Sequence, residues 1–316
     1  MPPSAAFTQE VQTLFDKDGI IVTAADLSKQ PKAEIEGIVV TLFLHRHNEK
    51  NVINPTMISL LIDALDTIDT HPMLADTHNK ALIVTGVSLE GGNDKFFSNG
   101  LDLEWMLNSG DSNPGNGSNT ELGSDEEITA NSDVAFEKAR ENVSSSTTSQ
   151  MVESFCSNVL ARILVLPFLT IAAINGHCIG AGLFIALSCD FRIMRTERGF
   201  LQWPEARLGM RLSKGFAELS KAKVTEPVVI REGVLMAKKY TSREALTRSI
   251  IDHEFPIEEL YDQAFKLAVN GLPESAAMKL DYFSPKGYTE IKTELYTDAY
   301  RALKFGRVED LPHCRL

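Results

Sequence analysis

Two glycine turns contain the clearest chemical pattern in the sequence. The segments KFFSNGLDL (95–103) and NGHCIGAGL (175–183) each place a glycine-containing turn after an apolar strand and before a helix. The first backbone N–H groups of a helix have no partner within the helix and lie at the positive end of its dipole. Two such turns that converge would form an oxyanion hole, which stabilises the negative charge that develops on a carbonyl oxygen during enolate chemistry.

A third segment, GFLQWPEARLG (199–209), supplies a carboxylate. Glu205 follows a proline and precedes a Leu-Gly turn, and its neighbours include the apolar residues Leu201, Trp203 and Leu208. Burial among apolar groups raises the pKa of a carboxyl group, which suits it to proton transfer near neutral pH. Taken alone, the segment favours a surface glutamate beside a turn, by roughly a factor of two.

Other polar residues near these segments have less specific patterns. His177 lies in the second turn without a partner acid or nucleophile, which favours a packing role. His45 and His47 are two residues apart at a strand end without a third ligand, so we expect no metal site. Arg211 and Lys214 lie close to the Glu205 segment, and two alternatives stay open for them, surface residues or phosphate ligands.

Strands alternate with helices over most of the chain. Apolar runs predict strands at residues 18–24, 36–46, 80–86 and 169–174. The first of these is either the hairpin partner of the second or a separate strand. Asn54 followed by Pro55 predicts the start of a helix, and the pattern after residue 215 is mostly helical. This order predicts an α/β core followed by a helical C-terminal region.

The composition changes sharply between residues 107 and 149. This segment is rich in serine, asparagine, glycine and acidic residues and contains few large apolar side chains. Because it cannot bury enough apolar surface to order itself, we predict a flexible acidic insertion.

The overall composition limits the classes of partner. The net charge of −12 argues against nucleic acid, which requires a concentrated basic surface. The longest apolar stretch, 163–174, is too short to span a bilayer and contains Pro167, so we expect no membrane span. The four cysteines include no C-x-x-C pair, which is typical of reduced packing residues in an intracellular protein.

The run NGHCIGAGLFIALSCDFRIM (175–194), followed by GFLQWPEARLG, resembles the crotonase (enoyl-CoA hydratase/isomerase) superfamily. Within it, KFFSNGLDL and CDFRIM are most similar to the peroxisomal 3-enoyl-CoA/2-enoyl-CoA isomerases. The resemblance covers about 36–240, interrupted by the insertion 107–149, and leaves 1–35 as an N-terminal extension and 241–316 as a helical C-terminal region. It implies a crotonase-type spiral of repeated β-β-α units that assembles as a homotrimer or a dimer of trimers. It also implies an acyl-CoA thioester as substrate and no separate cofactor.

The resemblance also implies roles for individual residues. Matching positions make the backbone N–H groups of Leu101 and Ala181 the oxyanion donors and Glu205 the catalytic acid and base. Many relatives have glycine where Ala181 stands, which is acceptable for a backbone donor provided that φ is negative. The other implied positions are pocket residues, namely Gly100, Gly180, Phe184 and Trp203, and contacts to CoA, namely His45, Arg46 and Lys50.

The number of carboxylates separates two reactions. Hydratases of the superfamily use two glutamates, and at the first of these positions this sequence has Phe184, while Glu205 stands at the second. One carboxylate beside an oxyanion hole can move a proton between two carbons, so we predict a 3-enoyl-CoA to 2-enoyl-CoA isomerase of fatty acid β-oxidation. The alternatives are a hydratase-like enzyme of a specialised pathway and a non-catalytic acyl-CoA-binding scaffold.

The last three residues predict a location. Cys314, Arg315 and Leu316 have the small–basic–leucine form of a peroxisomal import tripeptide. We therefore expect the peroxisome as the location and an import receptor as a partner, with a frayed tail as the alternative.

Overall fold

The strands of the protein form two sheets. The computed structural model describes residues 11–29, 36–75, 79–88, 95–108, 146–270 and 284–307. Within these ranges the strands are β1 (Val11–Lys17), β2 (Ile20–Asp26), β3 (Ile38–Leu44), β4 (Lys80–Thr85), β5 (Phe96–Ser98), β6 (Leu169–Ile174), β7 (His177–Ile179), β8 (Phe191–Arg195), β9 (Leu201–Gln202) and β10 (His253–Phe255).

The larger sheet has seven strands in the order β1-β2-β3-β4-β6-β8-β10. The first three strands pair antiparallel, and every later pair is parallel. The smaller sheet has the order β5-β7-β9 and is parallel throughout. Parallel strands need crossover connections, which explains why helices separate most of the strands along the chain.

Helices account for most of the remaining described residues. Their bounds are α1 (Pro55–Thr70), α2 (Pro72–Ala75), α3 (Leu103–Asn108), α4 (Ser146–Phe155), α5 (Ala161–Leu164), α6 (Ala181–Ser188), α7 (Glu205–Leu208), α8 (Lys214–Lys223), α9 (Pro227–Val229), α10 (Ser242–Thr247), α11 (Ile257–Asn270), α12 (Pro285–Leu295) and α13 (Thr297–Phe305). Two π-helical segments, Cys156–Leu160 and Ile230–Leu235, follow α4 and α9. Across the described ranges we find no helix with the length and apolar character needed to cross a membrane.

Both faces of the central strands of the larger sheet are buried, because successive residues of a strand point to opposite sides and each side meets its own apolar core. In β3, Val40 and Leu42 belong to the main apolar core, which also contains α1 and α6. Val39, on the opposite face, belongs to a second core that packs against Leu260 and Phe265 of α11. This two-sided burial explains why β3 reads as the continuous apolar run IVVTLFL.

The hairpin predicted near the start of the chain is confirmed, since β2 pairs antiparallel with β3 from Ile20 opposite Leu44 to Asp26 opposite Ile38. Both β1 and β2, which lie within residues 1–35, are therefore strands of the main sheet. At the other end of the chain, β10 pairs with β8 and α11 covers one face. The predicted helical C-terminal region therefore also contributes to the core layers.

A buried polar contact fixes the C-terminal helices to the sheet. Asp190, just before β8, accepts hydrogen bonds through Oδ2 from Lys292 Nζ (2.7 Å) and Tyr288 OH (3.1 Å), both on α12. The same oxygen accepts the backbone N–H of Thr170 (2.9 Å). Lys292 is only 3% exposed and also donates to the carbonyl of Phe168 (3.0 Å). Burial lowers the pKa of Lys292, and the charge of Asp190 opposes that effect.

Replacing Lys292 should therefore destabilise the fold. Lys292→Met keeps the aliphatic stem but leaves the Asp190 carboxylate buried without its counter-ion, so we expect a loss of about 3 kcal/mol in the free energy of unfolding, measured in urea. The double variant Asp190→Asn/Lys292→Met should lose less than the sum of the two single variants, because each single variant already breaks the pair. Additive losses would contradict this account of the contact.

Candidate active site

Three short parallel strands place the predicted site residues at one edge of the smaller sheet. β5 ends at Ser98, β7 at Ile179 and β9 at Gln202, and the pairing sets Ser98 beside Cys178 and Ile179 beside Gln202. The carboxyl ends of parallel strands meet at the same edge. The two glycine turns and the segment that contains Glu205 follow these three ends directly.

The first turn requires its glycine. Gly100 has φ +88°, and a Cβ atom placed there would lie 2.8 Å from the carbonyl oxygen of Ile179. The same Cβ would lie 3.5 Å from the backbone nitrogen of Ala181, so the two turns are in direct contact. Gly180 in the second turn also has a positive φ, of +49°. Glycine adopts such conformations at little cost, whereas other residues are strained by them.

The backbone around the first turn is held by the chain before α1. The N–H of Ile53 donates to the carbonyl of Gly100 (2.7 Å), and the N–H of Asp102 donates to the carbonyl of Ile53 (3.0 Å). These two bonds surround Leu101, whose own N–H has no acceptor among the described residues. Ala181 begins α6 with a negative φ, and its N–H likewise finds no acceptor in the described part of the chain.

Glu205 lies beside these turns as a buried acid with one carboxyl oxygen that has no described partner. Glu205 is 9% exposed, and its Oε2 atom makes no hydrogen bond with any described group. Desolvation by burial raises the pKa of Glu205 to about 7, against a smaller lowering effect of a backbone hydrogen bond. Pro204 packs against the second turn, since its Cγ would lie 3.4 Å from a Cβ at Gly180. This contact fixes the start of α7, and therefore Glu205, next to Ala181.

These elements enclose a cavity of about 340 Å³. Among the described residues that line it, Glu205 is the only acid and Arg211 the only base, and most of the others are apolar. The lining residues are Asn99, Gly100, Leu101, Leu103, Met106, Thr148, Ser149, Val152, Ile179, Gly180, Ala181, Pro204, Glu205, Leu208, Met210, Arg211, Ser213 and Phe216. An apolar cavity with one neutral-range acid and two free amides suits proton transfer next to a carbonyl group.

The sequence of the chain is similar to those of known proteins. A family model described as enoyl-CoA hydratase/isomerase matches residues 136–281. Enoyl-CoA delta isomerase 3 of Arabidopsis thaliana is 32% identical over 238 residues, which cover 75% of this chain and 84% of that protein. The peroxisomal enoyl-CoA delta isomerase 2 of the same plant is 30% identical over 233 residues, covering 74% and 82%. The chain belongs to the enoyl-CoA hydratase/isomerase (crotonase) family of enzymes.

A solved structure agrees at the level of the fold. A probable enoyl-CoA hydratase from Mycobacterium tuberculosis matches with a TM-score of 0.61 and 19% sequence identity, covering 94% of this chain and 92% of that one. The predicted α/β crotonase fold is therefore confirmed.

Within this crotonase-family site, five of the predicted residues line the cavity, namely Gly100, Leu101, Gly180, Ala181 and Glu205. Two others, Phe184 and Trp203, are not among the residues that line the cavity, and their predicted role in the substrate pocket stays a prediction. Both are fully buried. The ring of Phe184 is stacked on Phe216, and Trp203 Nε1 donates to Ser220 Oγ (3.1 Å), so helix α8 covers both.

The three residues predicted to contact CoA do not line the cavity. Arg46 donates to Glu49 (2.6 Å) and to the carbonyl of Asp18 (3.1 Å). His45 contacts the ring of His47 at 4.7 Å between centroids. Lys50 contributes through its backbone, because its carbonyl accepts the N–H of Asn99 (3.0 Å). The structure thus gives this loop a supporting role for the first turn.

The structure also gives the positions of the other polar residues that the sequence analysis considered. His177 lies between the rings of Phe96 and Phe200, at centroid distances of 5.3 and 4.4 Å. Arg211 lines the cavity, whereas Lys214 begins α8 outside it. In the described ranges no three His, Cys, Asp or Glu side chains are grouped to hold a metal ion. The tripeptide at 314–316 lies outside the described residues, as does most of the predicted insertion 107–149.

Sequence reasoning missed the cavity wall formed by α4 and by the start of α8. Neither Val152 nor Phe216 was assigned to the site from the sequence. A signal for α8 exists in the sequence, because Ser213 stands three residues before Phe216, and in the structure its Oγ accepts the N–H of Phe216 (3.3 Å) as a helix cap. No local pattern indicates which residues of these helices face a cavity.

Replacing the glycine of the first turn should be costly. Gly100→Ala forces a Cβ against the carbonyl of Ile179 at a positive φ, so we expect a loss of about 1–3 kcal/mol in the free energy of unfolding in urea. Gly287→Ala, in the first turn of α12, is the matched control because a Cβ there meets atoms only at 3.6 Å or beyond. The control should be neutral or slightly stabilising. Equal effects of the two changes would contradict the constraint at Gly100.

The raised pKa of Glu205 predicts a pH-dependent cost to stability. The folded-state pKa of about 7 exceeds the ordinary value of 4.5, so the folded protein binds this proton more tightly than the unfolded chain does. The associated stability is complete below about pH 4.5 and is lost as the pH rises through about 7. The stability of Glu205→Gln relative to the unchanged protein should therefore increase between pH 4.5 and 8, by up to about 3 kcal/mol in urea unfolding. A difference independent of pH would show that Glu205 is not buried as described.

Proposed function

We propose that the protein is an enoyl-CoA isomerase that converts 3-enoyl-CoA to 2-enoyl-CoA in fatty acid β-oxidation. The observation that carries this proposal is the single buried carboxylate, Glu205, in a cavity that also contains two free amides, Leu101 and Ala181. The names of the two Arabidopsis relatives, both enoyl-CoA delta isomerases, support the same reaction.

The proposed mechanism moves one proton. The thioester oxygen accepts hydrogen bonds from the N–H groups of Leu101 and Ala181, and Glu205 in its carboxylate form removes a proton from C2. The electron pair of the C2–H bond forms a C1–C2 double bond as the carbonyl electrons move to oxygen, which gives a dienolate. Protonated Glu205 then donates the proton to C4. The carbonyl re-forms, and the double bond lies between C2 and C3.

The raised pKa of Glu205 suits both halves of this transfer. An acid with a pKa of about 7 accepts and releases a proton with similar ease near neutral pH. The amides contribute in the intermediate, because the negative charge on oxygen is larger there than in the substrate. Loss of one such donor typically lowers turnover ~10²–10³-fold.

Hydration is disfavoured by the lining of the cavity. Adding water requires one group to activate the water and another to protonate C2, and Glu205 is the only carboxylate among the described lining residues. Phe184 occupies the position of the first hydratase glutamate and is buried behind Phe216. The side chains therefore support isomerisation over hydration.

We also propose a peroxisomal location and assembly as a homotrimer or a dimer of trimers. Two Arabidopsis relatives carry the word peroxisomal in their names. Exposed apolar side chains on α12 and α13, Ile291, Leu295 and Phe305, are each more than 60% exposed and would suit contacts between copies.

The isomerase proposal predicts which product the enzyme forms and which variant loses activity. Incubation with 3-hexenoyl-CoA should yield 2-hexenoyl-CoA, separated by chromatography, with kcat/KM rising to a plateau above about pH 7 as Glu205 ionises. Glu205→Gln should lower kcat ~10²–10⁴-fold because the variant cannot accept a proton. Glu218→Gln, on α8 and outside the cavity lining, is the control and should retain activity.

Two other outcomes of these assays would contradict the isomerase proposal. If 2-hexenoyl-CoA is converted mainly to 3-hydroxyhexanoyl-CoA, which mass spectrometry detects as addition of one water, the enzyme is a hydratase. If neither product forms while acyl-CoA still binds, the protein is a non-catalytic acyl-CoA-binding scaffold.

A further inference from the structure

Part of the cavity wall is an aromatic ring. Phe216, in the first turn of α8, lines the cavity and yet is only 4% exposed. Its ring is stacked on that of Phe184, with 4.0 Å between centroids and 7° between planes. Since Phe184 covers one face of Phe216, the surface that Phe216 offers to the cavity is the other face or an edge.

The stack lies close to the reacting end of the cavity. The N–H of Phe184 donates to the carbonyl of Gly180 (3.1 Å), so Phe184 stands one helical turn beyond the second glycine turn. One turn of helix corresponds to roughly 5 Å along its axis. Phe216, stacked on Phe184, therefore lines the cavity about one helical turn beyond the second glycine turn.

The ring of Phe216 is held on several sides. Phe155 contacts it edge to face, with 6.3 Å between centroids. The carbonyl of Phe216 accepts a hydrogen bond from Ser220 Oγ (2.9 Å), which in turn accepts one from Trp203 Nε1. Next to it, a Cβ at Gly215 would meet Leu303 Cδ2 of α13 at 3.0 Å, so the start of α8 is packed closely against the C-terminal helix. A ring held in this way cannot rotate aside without disturbing the surrounding core.

We propose that Phe216 is a specificity-determining residue that limits the length of the acyl chain, with Phe184 as its support. This inference rests on the proposed acyl-CoA substrate. In a rigid apolar pocket each methylene that fits or fails to fit changes affinity about 10–200-fold. The phenyl ring at 216 thus excludes chains that extend beyond it, and the phenylalanine at position 184, where hydratases carry an acid, keeps that ring in place.

The experiment compares the binding of saturated acyl-CoAs, which cannot isomerise. Affinities for hexanoyl-, decanoyl- and tetradecanoyl-CoA are measured by titration calorimetry for the unchanged enzyme, Phe216→Ala and Phe216→Leu. Phe216→Ala should raise the affinity for the longest chain relative to the shortest by about tenfold or more, and Phe216→Leu, which preserves most of the packing, should give a smaller shift in the same direction.

The control variant is Phe168→Ala. Phe168 is 3% exposed, lies just before β6 and is not a lining residue, so this change removes the same ring from the core away from the cavity. Its chain-length preference should equal that of the unchanged enzyme. An unchanged preference in both Phe216 variants, or an equal shift in the control, would overturn the inference.

The test separates this inference from the proposed function. A shifted preference in a protein that isomerises no 3-enoyl-CoA would overturn the isomerase and leave the role of Phe216 intact. Isomerase activity without any shift in the Phe216 variants would overturn the role of Phe216 alone.

Discussion

The close approach of two backbone turns is the constraint on which the site depends. Gly100 and the Gly180–Ala181 turn touch so closely that a single added Cβ would lie 2.8 Å from a carbonyl oxygen of the neighbouring strand. That approach is possible because β5, β7 and β9 are parallel and end together, and because glycine accepts the positive φ angles that both turns require. Moving either strand by one residue would separate the two amides and remove Glu205 from their vicinity.

The apolar packing that forms the cavity also determines its chemistry. Trp203 and Phe184 are fully buried behind the wall, and the start of α8 covers them. The wall keeps water from Glu205, and the resulting desolvation moves its pKa into the neutral range. Such an acid costs stability when it is ionised, and this cost is typical of active sites, where function rather than stability selects the residue.

The sequence predicted those parts of the site that local chemistry specifies. The two turns were found because strand, glycine and helix signals follow one another within a few residues, and Glu205 was found because its neighbours are apolar. The family resemblance assigned Phe184 and Trp203 to the substrate pocket, and in the structure α8, from a later part of the chain, packs over both. Tertiary packing decides which side chain faces the cavity, and no short segment of sequence encodes that packing. β1 was missed for a related reason, since it is an edge strand with mostly exposed residues and lacks a clear apolar alternation.

The contact between Gly215 and Leu303 has a consequence for how the enzyme is made. The ribosome synthesises α13 after all the other described elements, and the start of α8 packs against that helix. The glycine turns and Glu205 can therefore meet while synthesis continues, but the side of the cavity formed by α8 is packed against its neighbour only after α13 has emerged. A nascent chain halted before that point would expose apolar side chains of α8 to solvent, and molecular chaperones bind such exposed apolar surfaces.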